Sequence, residues 1–448
     1  MELIGAKPER RIILYFLVTI LLGSALLILP ISTADKSISY IDALFTSTSA
    51  TCVTGLIVVD TAKDYSFFGQ LVILILIQLG GLGIMTFASA LLVTMVPRLS
   101  FQDRFVLAQT LGGGERIKSK TLLKAVIIST LTIESLGALI LFFKFQQEYP
   151  LGQAIFHSVF HSVAAFCNAG FSTFSANLEG YSNSLYVILT IASLVIFGGL
   201  GFVVISEIVS QFRFKNSRLS LHTKLALATT LALLIVGTAA IYFAERDNVL
   251  KDMSTGRGLA NAFFQSVTPR TAGFNTIPQG RLTEVTILMT MILMFIGTCP
   301  GSTGGGTKTT TLSVLLLLAY SRIRGRRAVS AFKRSISDIS IVHSLTVWLV
   351  AILIIATLFI FFMFSEEHSS SPIAGHGWFL DGLFEVVSAF GTVGLSIGIT
   401  PYLHDFGKII LILLMFIGRV GLLTLVFSLT RPSKQGEIVY LEEEVMVG

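Results

Sequence analysis

The chain has 448 residues, 53% hydrophobic and only 13% charged, with a mean hydropathy of +0.80, a balance that excludes an ordinary soluble domain and indicates an integral membrane protein. Its net charge of +6 sits in short basic loops beside apolar runs, which is a membrane-topology signal and not a nucleic-acid signature. The three cysteines, Cys52, Cys167 and Cys299, show no CxxC spacing and support neither a disulfide scaffold nor a zinc site.

Apolar runs beyond about 18 residues favour membrane helices over the alternating strands of a barrel. The first run, residues 12–29, follows Lys7, Arg10 and Arg11. A cleaved signal peptide is the rival reading, with Ser32-Thr33-Ala34 imitating a cleavage site. The run exceeds the usual signal core of about 7–15 residues, however, and belongs to a repeat. Next comes IDALFTSTSATCVTGL, residues 41–56, too short and polar to span a membrane. A weakly amphipathic helix running into a Gly-containing turn is the pattern of a re-entrant pore helix and its loop. Irregular backbone at such depth is tolerated only where it lines a watery path or is buried in protein. Residues 67–96 then form an exit run with the cluster Gly80-Gly81-Leu82-Gly83, suited to close helix packing. Arg98, Arg104, Arg116, Lys118, Lys120 and Lys124 follow.

The same plan returns three times. The second unit has runs at 122–145 and 185–209 around AIFHSVFHSVAAFCNAGFST, and its exit run carries Gly198-Gly199-Leu200-Gly201-Phe202. The third has runs at 225–243 and 283–319 around ANAFFQSVTPRTAGFNT. The densest basic loop follows it: Arg322, Arg324, Arg326, Arg327, Lys333 and Arg334. The fourth has runs at 341–364 and 406–429 around LDGLFEVVSAFGTVGLS, and Arg431 and Lys434 come after. Phe45, Phe160, Phe263 and Phe384 each lie ten positions before Gly55, Gly170, Gly273 and Gly394. Such an internal repeat changes the reading of the whole fold. The expected fold is an all-α polytopic membrane protein: four parallel helix–pore loop–helix repeats, eight transmembrane helices, around one pseudo-fourfold pore. The boundaries are 1–97, 98–216, 217–330 and 331–430, with a cytoplasmic tail at 431–448. Basic loops before, between and after the units put both termini in the cytoplasm and all four loops on the outside.

The sequences TCVTGL, CNAGF, TPRTAGFN and FGTVGLS in this order resemble the Trk/Ktr/HKT superfamily of potassium transporters, nearest to its Ktr-type membrane subunits, over nearly the whole chain. The resemblance implies a K+-translocating homodimer in the cell membrane, controlled by a KtrA-like cytosolic octameric ring that senses nucleotide (ATP or ADP). It also implies uptake that is commonly Na+-dependent. This chain contains no nucleotide domain and no cofactor of its own; K+ is the transported ion and Na+ a possible coupling ion.

The expected selectivity filter is Val53, Thr54 and Gly55; Asn168, Ala169 and Gly170; Thr271, Ala272 and Gly273; and Thr392, Val393 and Gly394. Backbone carbonyls there would replace the hydration shell of K+, helped by the negative ends of four helices. One signature glycine per loop points to fewer ion sites and looser selectivity than a TVGYG filter. In this superfamily a serine at the first-repeat glycine goes with Na+ permeation, and Gly55 favours K+.

Within the third exit run, residues 297–308 (GTCPGSTGGGTK) look like a phosphate loop but fail the pattern, because Thr307 precedes Lys308 and no strand leads in. Proline and glycines break the helix in mid-membrane. The resemblance makes Gly301, Ser302, Thr303, Gly304, Gly305, Gly306 and Lys308 a flexible gate below the filter, with Arg419 as its electrostatic part. A charge in mid-span normally faces a cavity or partner. Glu134 is the other intramembrane charge, either paired with a basic group or bracing a pore loop. His157 and His161, at i and i+4, read as packing behind the filter more readily than as metal ligands. Arg270 is expected to turn from the ion path and hold its loop from behind. Outer acidic residues (Asp35, Asp60, Asp64, Glu148, Glu179, Glu366, Glu367, Asp405) either concentrate cations at the mouth or are solvated loop charges. The acidic tail, Glu437 to Glu444, resembles a dimer-contact segment; a disordered tail is the alternative.

Other function classes fare worse. The runner-up is a less selective Na+/K+ channel or an HKT-like transporter working without a regulatory ring. A secondary transporter of small solutes would show inverted repeats. A hydrolase would need a nucleophile and base on facing helices, and no such set stands out.

Overall fold

The computed structural model describes residues 8–34, 37–95, 119–213, 219–366 and 376–421. The acidic tail, Lys7, Asp35, Arg98, Arg104, Arg116, Lys118, Glu367, Arg431 and Lys434 lie outside the described residues. In chain order the helices are α1 (Pro8–Leu27), α2 (Tyr40–Thr51), α3 (Phe67–Met95), α4 (Ser119–Phe145), α5 (Leu151–Cys167), α6 (Leu185–Leu200), α7 (Phe202–Arg213) and α8 (Leu221–Glu245). Then come α9 (Thr255–Val267), α10 (Glu284–Ile296), α11 (Thr309–Ile323), strands β1 (Ser330–Ala331) and β2 (Arg334–Ser335), α12 (Asp338–Glu366), α13 (Trp378–Gly391) and α14 (Asp405–Val420).

The molecule is inside out by the standards of a soluble protein. The long helices α1, α4, α8 and α12 are apolar all round and present Leu22 (63% exposed), Leu136 (56%), Val236 (60%) and Leu349 (61%) outward. The short helices α2, α5, α9 and α13 bury their second halves between them, although α2 alone carries Thr46, Ser47, Thr48, Ser49 and Thr51 there. Hydrocarbon around the long helices and protein around the polar ones explains both. Among the described residues four helices are long and apolar enough to cross a membrane, and a fifth span arises if the bent pair α6–α7 counts as one.

In the second and third units the second helix is interrupted. The run 185–209 does not continue straight: it turns by 98° at Gly201 (φ 83°), where a Cβ would press on Pro300 O, and Phe202 N donates to Gly301 O at 3.2 Å. A single glycine lets the broken third span pass beneath it. The densest basic loop contains a small antiparallel hairpin, so the all-α expectation misses two short strands.

Three of the four short helices hang from the long helix before them through a serine. Ser47 Oγ donates to Ile20 O (2.7 Å), Ser162 Oγ to Glu134 O (2.6 Å) and Ser266 Oγ to Leu234 O (3.2 Å). Gly23, Gly137 and Gly237 make room, since a Cβ at any of them would meet that serine hydroxyl. The glycine clusters of the exit runs also pack closely, as their composition suggested. A Cβ on Gly80, Gly198 or Gly418 would strike the carbonyl of Thr51, Phe166 or Phe390, at the end of a short helix.

Several outer carboxylates are structural. The buried Glu245 accepts from Thr283 N and Thr283 Oγ1 (both 2.8 Å) and from Asn248 Nδ2 (2.7 Å), tying α8 to the start of α10. Glu366 does the same in the fourth unit through His404 N at 3.1 Å, and Glu179 accepts from Asn275 Nδ2 at 2.7 Å. Burial works to raise the Glu148 carboxyl, but bonds from Lys144 and Tyr181 outweigh it and hold its pKa below the usual value. Glu245→Ala is expected to cost about 2–3 kcal/mol, with Glu245→Gln losing less. Thermal unfolding in detergent checks this; equal melting of both variants and the parent would refute the tie.

Candidate functional site

Four loops meet at one point. Each follows a short helix and enters the left-handed region twice. Val53 (φ 56°), Asn168 (61°), Thr271 (69°) and Thr392 (49°) come first, and Gly55 (98°), Gly170 (66°), Gly273 (75°) and Gly394 (90°) follow two residues later. Positive φ is uncommon for any non-glycine residue and a genuine outlier for Val and Thr, so the surrounding structure must impose it. Gly55 N donates to Ser49 Oγ (3.0 Å) and Gly394 N to Ser388 Oγ (3.1 Å), each serine six positions before its glycine. That spacing was visible in the sequence and was overlooked.

The loops pack in chain order and close. A Cβ on Gly55 would strike Ala169 O and stand 2.9 Å from Gly170 Cα; one on Gly170 would stand 2.9 Å from Gly273 Cα. One on Gly273 would strike Val393 O, and one on Gly394 would strike Thr54 O and stand 2.9 Å from Gly55 Cα. Each glycine therefore faces the next loop, and the last returns to the first. Both the left-handed φ and this approach require glycine. The Lys408–Asp42 ion pair (2.7 Å) joins α14 to α2 and so links the fourth unit to the first.

Residues 297–308 leave α10 and cross to touch the second, third and fourth units. Thr303 N donates to Gly198 O (3.2 Å) and Thr303 Oγ1 to Phe166 O (3.1 Å), in the second unit. Gly304 abuts Thr271 Oγ1 of the third loop, and Gly305 abuts Thr392 Oγ1 of the fourth. Gly306 N donates to Gly418 O at 3.2 Å, and Ser302 Oγ folds back to Cys299 O at 2.6 Å. Lys308 Nζ returns to Gly304 O (2.8 Å) and Gly305 O (2.9 Å). Arg419, 2% exposed, donates from Nη1 to Thr303 O and from Nη2 to Gly80 O (2.8 Å), reaching the first unit. The only residue of this set away from the crossing is Gly301, which turns at the α6–α7 bend. Among the described residues no ion pair involves Arg419, Lys308 or Arg270. Arg419 is buried and Lys308 half-buried, and each meets the segment through backbone carbonyls.

Groups behind the loops brace them. Glu134 has no basic partner among the described residues. Gln78 Nε2 donates to it at 3.1 Å and Cys167 Sγ lies 3.8 Å away, so it joins α3 and α4 to the second loop. Arg270 turns back to α8, where Nη2 meets Thr230 Oγ1 at 3.3 Å. His157 Nδ1 lies 2.7 Å from Thr173 Oγ1, and His161 stacks on Phe174. Gln78 was missed because nothing local marks it.

Residues 10–438 match the family model described as TrkH, cation transport protein. The chain belongs to the TrkH family. It is an ion-transport protein with several membrane-spanning helices, not an enzyme. It is 40% identical to the Ktr system potassium uptake protein B of Bacillus subtilis, over 98% of this chain and 97% of that protein. It is 38% identical to the potassium/sodium uptake protein NtpJ of Enterococcus hirae, over 99% and 97%. Among solved structures, the potassium transporter TrkH of Vibrio parahaemolyticus shares the fold, with a TM-score of 0.71 at 21% identity over 93% of this chain and 83% of that one.

Proposed function

We propose that the chain is the K+-translocating membrane subunit of a Ktr-type potassium uptake system. The single observation that carries this is the closed ring of four left-handed glycines in chain order. In this reading eight spans, two per repeat, surround one pseudo-fourfold pore. K+ sheds water onto the carbonyls of Val53–Gly55 and of residues 168–170, 271–273 and 392–394. Below them the segment from Gly301 to Lys308, latched by Arg419, is the gate.

Basic loops put both termini in the cytoplasm of a cell-membrane protein. The chain works as a homodimer under a KtrA-like octameric ring that brings nucleotide control, and Na+ acts as coupling ion. The relatives' names as Ktr potassium uptake proteins support the system assignment. The name of the Enterococcus hirae relative, a potassium/sodium uptake protein, favours a second reading: a pore passing both ions. The test is tracer uptake into proteoliposomes with K+ and Na+ varied separately, with and without the cytosolic partner. K+-selective uptake supports the first reading and equal uptake the second; no cation flux with the partner present defeats both.

A further inference from the structure

The four loops share one backbone plan, yet the polar groups behind them differ in a regular way. In the second and fourth units the residue two positions after the glycine is serine, Ser172 and Ser396, and the residue nine positions before it is an acceptor, His161 and Glu385. His161 Nδ1 sits 2.8 Å from His157 O, which can only accept, so Nδ1 carries the proton and Nε2 is free to accept. Ser172 Oγ then donates to His161 Nε2 at 2.9 Å and accepts from Phe174 N at 3.0 Å. The fourth unit repeats the relay with other chemistry. Ser396 Oγ donates to Glu385 Oε1 at 2.5 Å and accepts from Gly398 N at 2.9 Å. Glu385 further accepts from Ile397 N (3.2 Å) and Thr400 Oγ1 (2.8 Å).

The first and third units lack the relay. Their corresponding residues are Ile57 with Thr46 and Asn275 with Phe264; the third limb is tied by other means, Thr268 Oγ1 donating to Phe274 O (2.5 Å), Gln279 Nε2 to Ile277 O (3.0 Å) and Asn275 Nδ2 to Glu179 (2.7 Å). Because the ring closes in chain order, units two and four face each other across it.

Resting on the filter reading above, we propose that Ser172–His161 and Ser396–Glu385 are a diagonal pair of latches, on two opposing loops, that set ion selectivity. The latched limbs fix the carbonyls of two opposing loops at the separation suited to K+. His161 and Glu385 are positioning residues: they act through the serine and not on the ion.

The experiment measures the K+/Na+ uptake ratio in proteoliposomes for Ser172→Ala, Ser396→Ala, Glu385→Leu, Glu385→Gln and Thr46→Val, with melting in detergent as the control for folding. Removal of one serine is expected to lower the ratio about fivefold, the scale of a lost hydrogen bond. Glu385→Gln keeps an acceptor and restores the ratio that Glu385→Leu loses, and Thr46→Val leaves it unchanged. Folded serine variants with the parent ratio overturn the proposal, as does a Thr46→Val loss equal to theirs. If Gly55→Ser shifts selectivity while the serine variants do not, the latches fail and the filter reading stands. If none of these shifts it, both fail.

Discussion

Gly55→Ser is expected to lower the K+/Na+ uptake ratio by at least about tenfold, chiefly by admitting Na+. Gly55 holds φ 98°, and a Cβ there meets Ala169 O and the Gly170 Cα at 2.9 Å. The far side of the contact is backbone and cannot rotate away, so the first loop must withdraw from the second. One quarter of the ring then leaves its place while the other three quarters keep theirs. A discrimination built on the spacing of several carbonyls loses about 1.4 kcal/mol, or tenfold, from a small shift at one of them. Tracer uptake with both ions checks it in a variant shown to fold. A ratio equal to the parent's would remove Gly55 from the filter.

Arg419→Ala is expected to raise K+ flux in the absence of any cytosolic partner by about thirtyfold. The guanidinium holds Thr303 O on one side and Gly80 O on the other, so its loss both frees the crossing segment and removes a positive charge. At an effective dielectric constant of about 20, a unit charge within about 8 Å of a passing cation raises its energy by about 2 kcal/mol, which is about thirtyfold in rate. Arg419→Lys keeps the charge but cannot span both carbonyls, so its flux should fall between the two. Fluxes equal to the parent's in both variants would show that the segment does not limit conduction.

The four short helices and their glycines were legible because repetition turns a weak local signal into a strong one. Gly55 alone is any turn glycine; Gly55, Gly170, Gly273 and Gly394 in register with Phe45, Phe160, Phe263 and Phe384 are not. The left-handed Val53, Thr271 and Thr392 were invisible, because β-branched residues carry no preference for the conformation that packing forces on them. The bend at Gly201 was hidden in a cluster where glycine also serves close packing. The hairpin Ser330–Ser335 turns at Phe332 and Lys333 (φ 50° and 62°), with none of the Asn-Gly chemistry that marks such turns. Glu134 could be placed in a span from sequence, but its partners are far along the chain: Gln78 lies in the first unit and Cys167 at the end of α5.

If the segment beneath the ring is the gate proposed above, it also sets a quantity that any regulator must meet. Its central attachment, at Thr303 and Gly306, rests on four bonds: Thr303 to Gly198, Phe166 and Arg419, and Gly306 to Gly418. At about 1 kcal/mol net each, they favour the seated state by about 4 kcal/mol, so about one molecule in a thousand is unseated at rest. A partner that opens the pore to half occupancy therefore has to bind the unseated form about a thousandfold more tightly. Ligands with a smaller preference leave the protein shut however strongly they bind.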